Sequence, residues 1–348
     1  MSTLTDSRRL WIHAPGSDLL LFSYGWLAVL LPLLWLQPWA VSVIFVVIAI
    51  NELHRHYTFA LVYAEPEEFE RRRALYLGLP VLAAVVAFAF VYAEQFPLLL
   101  TISVLWTIYH SVGQKYGITR IYARKAGYGE AWIEKGLIFS WFYYVALAMI
   151  EREAGTLERF DAGRVVLESA GAALPYVHAV SLLLLAVALT FTLLFARQEY
   201  LNRHRISLPK VLYVCSVLLL YAVFFRSLVL GYVVFGFSHA LEYIALVNIF
   251  VGTKYRKRPE ARSLLARASK QLWLSSGLFA LVVVTACLLA KGWNQQAFGV
   301  YIVGSSFLHF IYDGLLWKVR RPEVGAPLGI RYAEAPSAKP LVGAPSVG

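Results

Sequence analysis

The 348-residue sequence predicts an all-α polytopic membrane protein of about ten transmembrane helices, with both termini in the cytoplasm. Three observations lead there. Hydrophobic residues make up 59% of the chain and charged residues 15%, against about 45–50% and about 25% in soluble domains. No charged side chain occurs from Leu19 through Asn51, and a soluble domain cannot hide that much apolar surface. The Lys and Arg residues are distributed with a strong one-sided bias once apolar runs are taken as membrane crossings. The same composition excludes an ordinary soluble enzyme and a nucleic-acid-binding protein. Cys215 and Cys287 both sit inside apolar runs, which excludes a disulfide scaffold.

A helix needs about 20 apolar residues to cross a bilayer. The runs that qualify are Leu19–Leu36, Trp39–Tyr63, Ala74–Ala93, Pro97–Ile118, Trp132–Ile150, Leu174–Ala196, Val211–Phe225, Ser227–Val251, Leu272–Ala290 and Ala297–Trp317. The first follows Arg8 and Arg9 and continues straight into the second, so no cleavable signal peptide is expected. Residues 1–18 then form a cytoplasmic N-terminus and residues 19–318 the transmembrane domain. Residues 319–348, rich in Pro, Gly and Ala, are expected to be a disordered cytoplasmic tail.

With the N-terminus inside and the spans alternating, 26 of the 32 Lys and Arg fall on the cytoplasmic side. The far side holds Arg152, Arg159, Arg164, Arg226 and Lys291, and Arg55 lies within a span. The expected location is the plasma (inner) membrane. The basic loop Thr253–Gln271, with Leu264 and Leu265 embedded, is expected to meet anionic lipids at the cytoplasmic face. The segment Glu151–Ala173 is the longest external loop and a candidate cap.

Polar groups inside lipid are costly and usually functional. Here they concentrate on the second, fourth, eighth and tenth spans, which all run from outside to inside. His54 lies 15 residues after Trp39, His110 13 after Pro97, His239 12 after Ser227 and His309 12 after Ala297. At about 1.5 Å per residue these depths are about 18–22 Å into a core roughly 30 Å thick. Four histidines on four parallel helices therefore share one layer. A lone membrane histidine is commonly a hydrogen-bonding strut, but unrelated struts have no reason to share a depth. His178, near the outer end of its span, misses the layer.

Neighbours three or four residues away share a helix face. Glu52–His56, His110–Gln114, His239–Glu242, His239–Tyr243 and His309–Asp313 all have that spacing. His54 and His56 are about 200° apart on an ideal helix, so only one of them faces a common ion. The metal candidates are His54, His56, His110, His239 and His309, with Glu52, Glu242 and Asp313 as co-ligands or orienting groups. Tyr312 and Tyr243 are the candidates for moving a proton. Aromatic residues Trp106, Tyr109, Phe235, Phe237, Phe307 and Phe310 are candidates for an apolar channel. The layer holds no Met or Cys that would favour copper, and its spare carboxylates are more than a structural zinc needs. Iron, as one or two ions, fits the mixed His/carboxylate set best, with haem as the competitor.

The carrying residues are His54-Arg55-His56, His110-Ser111-Val112-Gly113-Gln114, His239-Ala240-Leu241-Glu242 and His309-Phe310-Ile311-Tyr312-Asp313. Their arrangement resembles, at the level of architecture, the integral-membrane histidine-cluster non-haem iron oxygenases. That class includes lipid desaturases, hydroxylases and membrane carotene dioxygenases. The HxxxH and HxxHH boxes of the desaturases do not occur here. The resemblance implies oxygenase chemistry on a lipid-soluble substrate entering from the bilayer, with an electron donor as a possible partner. Two other classes share the pattern. A proton- or ion-coupled transporter also buries Glu, Asp, His and Arg, and a haem-bearing electron-transfer protein also pairs histidines.

Overall fold

The computed structural model describes residues 8–35, 39–159, 161–171 and 174–332. Among these, every regular element is helical. Among the described residues, eight helices are long and apolar enough to cross a membrane: Arg73–Tyr92, Phe96–Ala126, Ala131–Ile150, Tyr176–Leu201, Leu208–Arg226, Leu228–Arg256, Leu272–Trp293 and Gln295–Leu316. A bent pair, Pro15–Ser23 and Leu27–Trp35, makes nine if counted as one span. Ala40–Tyr63 has 24 residues, but its second half carries Asn51, Glu52, His54, Arg55 and His56. The chain is a multi-pass membrane protein. Trp35, Trp39, Tyr92 and Trp293 are exposed at one set of helix ends, and Trp132, Tyr200 and Trp273 at the other. Amphipathic rings at both ends are what the two membrane–water interfaces select.

The expected first span, Leu19–Leu36, is not one helix. The chain bends by 55° between Ser23 and Leu27. Glycine is required at the bend: a Cβ on Gly25 would stand 2.0 Å from the Leu20 carbonyl oxygen and 2.6 Å from the Leu241 side chain. The bend is pinned by Trp26, whose Nε1 donates to Ser216 Oγ at 2.9 Å. Ser216 Oγ in turn donates to the Ser23 carbonyl. Leu36, the expected end of this span, lies outside the described residues. The seventh run, short in the sequence reading, is a full helix over Leu208–Arg226. The fourth runs on to Ala126 and stops at Gly127, whose φ of 71° suits a residue without a Cβ.

The His54 helix (Ala40–Tyr63) packs on the His239 helix (Leu228–Arg256) and on the His309 helix (Gln295–Leu316). The His110 helix (Phe96–Ala126) also touches both of these. These four make the middle of the bundle. The His239 helix is mostly buried, whereas the peripheral Leu272–Trp293 helix is hardly buried at all. At the basic ends of the helices a charged network ties Phe96–Ala126 to its neighbours. Arg120 pairs with Glu134, and Lys210 Nζ lies 2.6 Å from Glu199. In the loop between them, burial raises the Tyr128 hydroxyl above its ordinary pKa. It therefore stays protonated and donates to Glu199 Oε2 at 2.6 Å.

The expected disordered tail needs a correction. Leu328 and Ile330 are buried in the main apolar cluster, Lys125 Nζ donates to the Leu328 carbonyl at 3.1 Å, and Tyr332 donates to the Val319 carbonyl at 2.5 Å. Two apolar side chains at the right spacing outweigh the Pro/Gly-rich composition. Residues 333–348 of that tail lie outside the described residues. In the external segment Glu151–Ala173 the described part forms two short helices, Ala154–Leu157 and Asp161–Ala170. The basic loop holds the short helix Leu264–Ser269, with Leu264 exposed and Ala266 buried.

Candidate metal centre

The four histidines of the shared layer meet. Ring centroids are 4.9 Å apart for His54–His239, 5.2 Å for His239–His110, 4.8 Å for His110–His309 and 4.8 Å for His309–His54. They form a closed square with edge-to-face neighbours, and His239–His309 is its 6.4 Å diagonal. His54, His239 and His309 offer ligand atoms all within 4.8 Å of one another, and so do His110, His309 and Asp313. His54, His239 and His309 are buried, His309 wholly so, and His110 is half-buried.

Hydrogen bonds decide how His309 is presented. Tyr243 donates to Asp313 Oδ1 at 2.7 Å, and Thr58 Oγ1 donates to the same oxygen at 2.9 Å. Thr58 Oγ1 also lies 2.6 Å from the Tyr243 hydroxyl and 2.7 Å from His309 Nδ1; with its one proton on Asp313, it accepts from His309. His309 is therefore the Nδ1–H tautomer, and its Nε2 carries a lone pair turned away from Thr58. Trp317 Nε1 donates to Tyr243 at 3.2 Å, which leaves the Tyr243 proton for Asp313. The other carboxylate oxygen, Asp313 Oδ2, lies 3.5 Å from His110 Nε2 and 3.7 Å from His309 Nε2. A hydroxyl–carboxylate–imidazole chain of this kind fixes ring orientation and tautomer behind a metal ligand.

On the other side of the square, Gln114 Nε2 donates to the His239 carbonyl at 2.9 Å and to Glu242 Oε2 at 3.0 Å. Glu242 is paired with Lys115 at 2.6 Å, and Lys115 also donates to Ser238 at 2.7 Å. The charge pattern of the sequence places Lys115 among the cytoplasmic basic residues. It is instead fully buried, on the same helix as His110 and one residue past Gln114.

Four expected site residues are not brought to the square. His56 Nδ1 bonds the Glu52 carbonyl at 2.7 Å, and its Nε2 bonds the Tyr301 hydroxyl at 2.6 Å. The two-residue offset from His54 turns it to the opposite face. Glu52 shares that face and pairs with Arg55. Glu242 is held by Lys115 and supports the His239 backbone through Gln114. Tyr312 bonds the Tyr63 hydroxyl at 2.8 Å within a separate apolar cluster. One residue from Asp313, it points about 100° away. Tyr243, by contrast, is in the site. Residues missed from the sequence are Thr58, Lys115, Ser238 and Trp317. Thr58 and Trp317 each follow a site residue by four positions, the spacing already used to find partners.

A cavity of about 290 Å³ adjoins the square and reaches His54 and His239. It lies toward the N-terminal ends of the four helices, since its walls come from Val47, Leu100, Val233 and Val303. Of the expected channel aromatics, Phe235 and Phe310 line it. Trp106 stacks on Phe310 instead, at 6.2 Å.

Two predictions follow directly. His56→Ala and His178→Ala proteins are expected to keep the metal content of the parent, because His56 faces away and His178 is exposed near a helix end. Asp313→Asn keeps shape but removes the charge, and metal affinity is expected to fall about 10–100-fold. Metal titration of the purified variants checks both. Comparison of this chain with family models, curated proteins and solved structures finds no match.

Proposed function

We propose that this chain is a membrane-embedded, metal-dependent oxidoreductase, in its best-fitting form a non-haem iron oxygenase, acting on a lipid-soluble substrate. One observation carries the reading. His54 Nδ1, His110 Nε2, His239 Nδ1 and His309 Nε2 are all buried without a hydrogen-bond partner. Each such atom costs about 1–3 kcal/mol unless something binds it. Four in one cluster, beside a carboxylate, suit a cation.

One ion accounts for the set better than two. His309 belongs to both ligand groups, yet Thr58 engages its Nδ1, so only the Nε2 lone pair remains. A neutral imidazole nitrogen ligates one ion, so the two groups describe one centre. Four neutral imidazoles around a divalent ion, with the Asp313 carboxylate beside them, leave one net positive charge. The rings stand 4.8–5.2 Å apart around the square, which suits an ion between them and leaves no slot for a porphyrin.

A bound iron with an open position would activate O₂ at this depth. The chain's own part is binding and orientation. His54, His110, His239 and His309 hold the ion. Thr58 and Tyr243 hold Asp313, and Tyr243 offers its hydroxyl proton at Asp313 Oδ1. The largely apolar cavity walls admit an apolar molecule. An electron donor would approach from the basic cytoplasmic face.

The topology that goes with this reading has ten crossings, the bent pair and the Ala40–Tyr63 helix included, with both termini in the cytoplasm of a plasma membrane. Cysteines introduced into the Thr253–Gln271 loop should resist an impermeant reagent added from outside, and one near Gly163 should react. The reverse labelling would sink this topology.

A second reading, a proton- or ion-coupled transporter, has one observation in its favour. Another cleft, of about 300 Å³, lies on the opposite side of the square, with Trp317 in its wall. Metal analysis separates the two: a transporter that uses the histidines for protons binds no stoichiometric iron.

A further inference from the structure

The Arg55–Glu52 pair offers no ligand to the histidine square, yet both residues line the cavity that reaches it. Arg55 is 6% exposed at a depth where charge is costly. Its Nη1 donates to the Ile302 carbonyl at 3.0 Å and to Ser306 Oγ at 2.6 Å, and its guanidinium pairs with Glu52. These contacts tie two helices together. They leave Arg55 Nε buried with no partner. A helix tie explains the other nitrogens but not an unused N–H in the wall of a cavity.

We propose that the cavity takes an apolar molecule bearing a hydroxyl group, held by Arg55 and Glu52 with its chain along the apolar walls toward the helix N-termini. This rests on the cavity being the substrate site of the proposed metal centre. Beside the cavity lie an N–H without a partner and a carboxylate with spare lone pairs, and the pair has no net charge. A hydroxyl both donates and accepts, so it satisfies both. An alkane leaves the Arg55 N–H unpaired. A carbonyl satisfies the donor alone. A carboxylate brings a second negative charge next to Glu52 in a low dielectric. At roughly 30 Å³ per water-sized group, the volume of about 290 Å³ holds a polar end and a chain of about ten atoms. A longer molecule would extend into the lipid.

The test uses the full chain in phosphatidylcholine nanodiscs, with its metal content measured first. A ten-carbon alcohol with a terminal diazirine is photo-crosslinked, and the modified residues are mapped by peptide mass spectrometry. Attachment is expected at cavity residues such as Val47 or Val233. 1-Decanol should displace the label about 10–100-fold better than decane or decanoate at equal membrane concentration, the range of hydrogen bonds to charged groups. The paired change Arg55→Met with Glu52→Gln should erase that preference. Label elsewhere, equal competition by decane, or preference for decanoate in the parent protein overturns the proposal, whether or not the variant folds. Metal-loaded protein without the alcohol preference sinks this inference alone. Metal-free protein that keeps the preference sinks the metal reading alone.

Discussion

A His309→Ala protein is expected to insert and fold but to lose its metal, with affinity down by more than the 10–100-fold of an outer-sphere change. His309 is the common member of both ligand groups and the only one whose tautomer is fixed by a traced chain, through Thr58 to Asp313. Removing it deletes a ligand and leaves Thr58, Tyr243 and Asp313 with nothing to orient. Lipid supplies no replacement nitrogen. Elemental analysis after size-exclusion chromatography reads the outcome. A monodisperse His309→Ala protein with the parent's metal content would exclude this histidine from the centre.

The second large effect is on stability. Lys115→Met leaves Glu242 buried without its counter-charge, and the expected loss is about 3–5 kcal/mol. The pair lies 2.6 Å apart with both side chains 1% exposed, so solvent does not screen it. Replacing both partners, Lys115→Met with Glu242→Leu, should recover much of the loss, because two apolar groups need no partner. Gln114 then keeps its bond to the His239 carbonyl, so the double variant should still bind metal. Thermal unfolding in detergent, followed with the metal content, checks both parts. A double variant no more stable than Lys115→Met would mean that the pair does more than neutralise itself.

Much of this arrangement was legible in the sequence, for one physical reason. Polar groups are expensive in lipid, so histidines there are few, and their depth can be counted from the start of each span. That placed His54, His110, His239 and His309 in one layer, and the structure joins them in a square. Rotation about a helix was legible less evenly. The 200° between His54 and His56 required a choice that only the facing helices make. Tyr312 shows the same limit, since depth equals that of Asp313 while direction does not. Lys115 was visible inside a predicted span but was weighed as a topology charge. A basic residue near the end of a span serves either role, and only its burial against Glu242 separates them. Nor does composition encode the bend at Gly25, because both halves are equally apolar. The return of Leu328 and Ile330 to the core was hidden by the Pro/Gly-rich residues around them.

The most direct measurement is elemental analysis of the purified full-length protein, combined with X-ray absorption at the edge of the metal found. The account predicts one iron per chain, with a nitrogen-rich shell at about 2.0–2.2 Å, lost together in a protein carrying His110→Ala, His239→Ala and His309→Ala. Folded protein that binds no transition metal after anaerobic reconstitution, or a triple variant with undiminished metal, would contradict it.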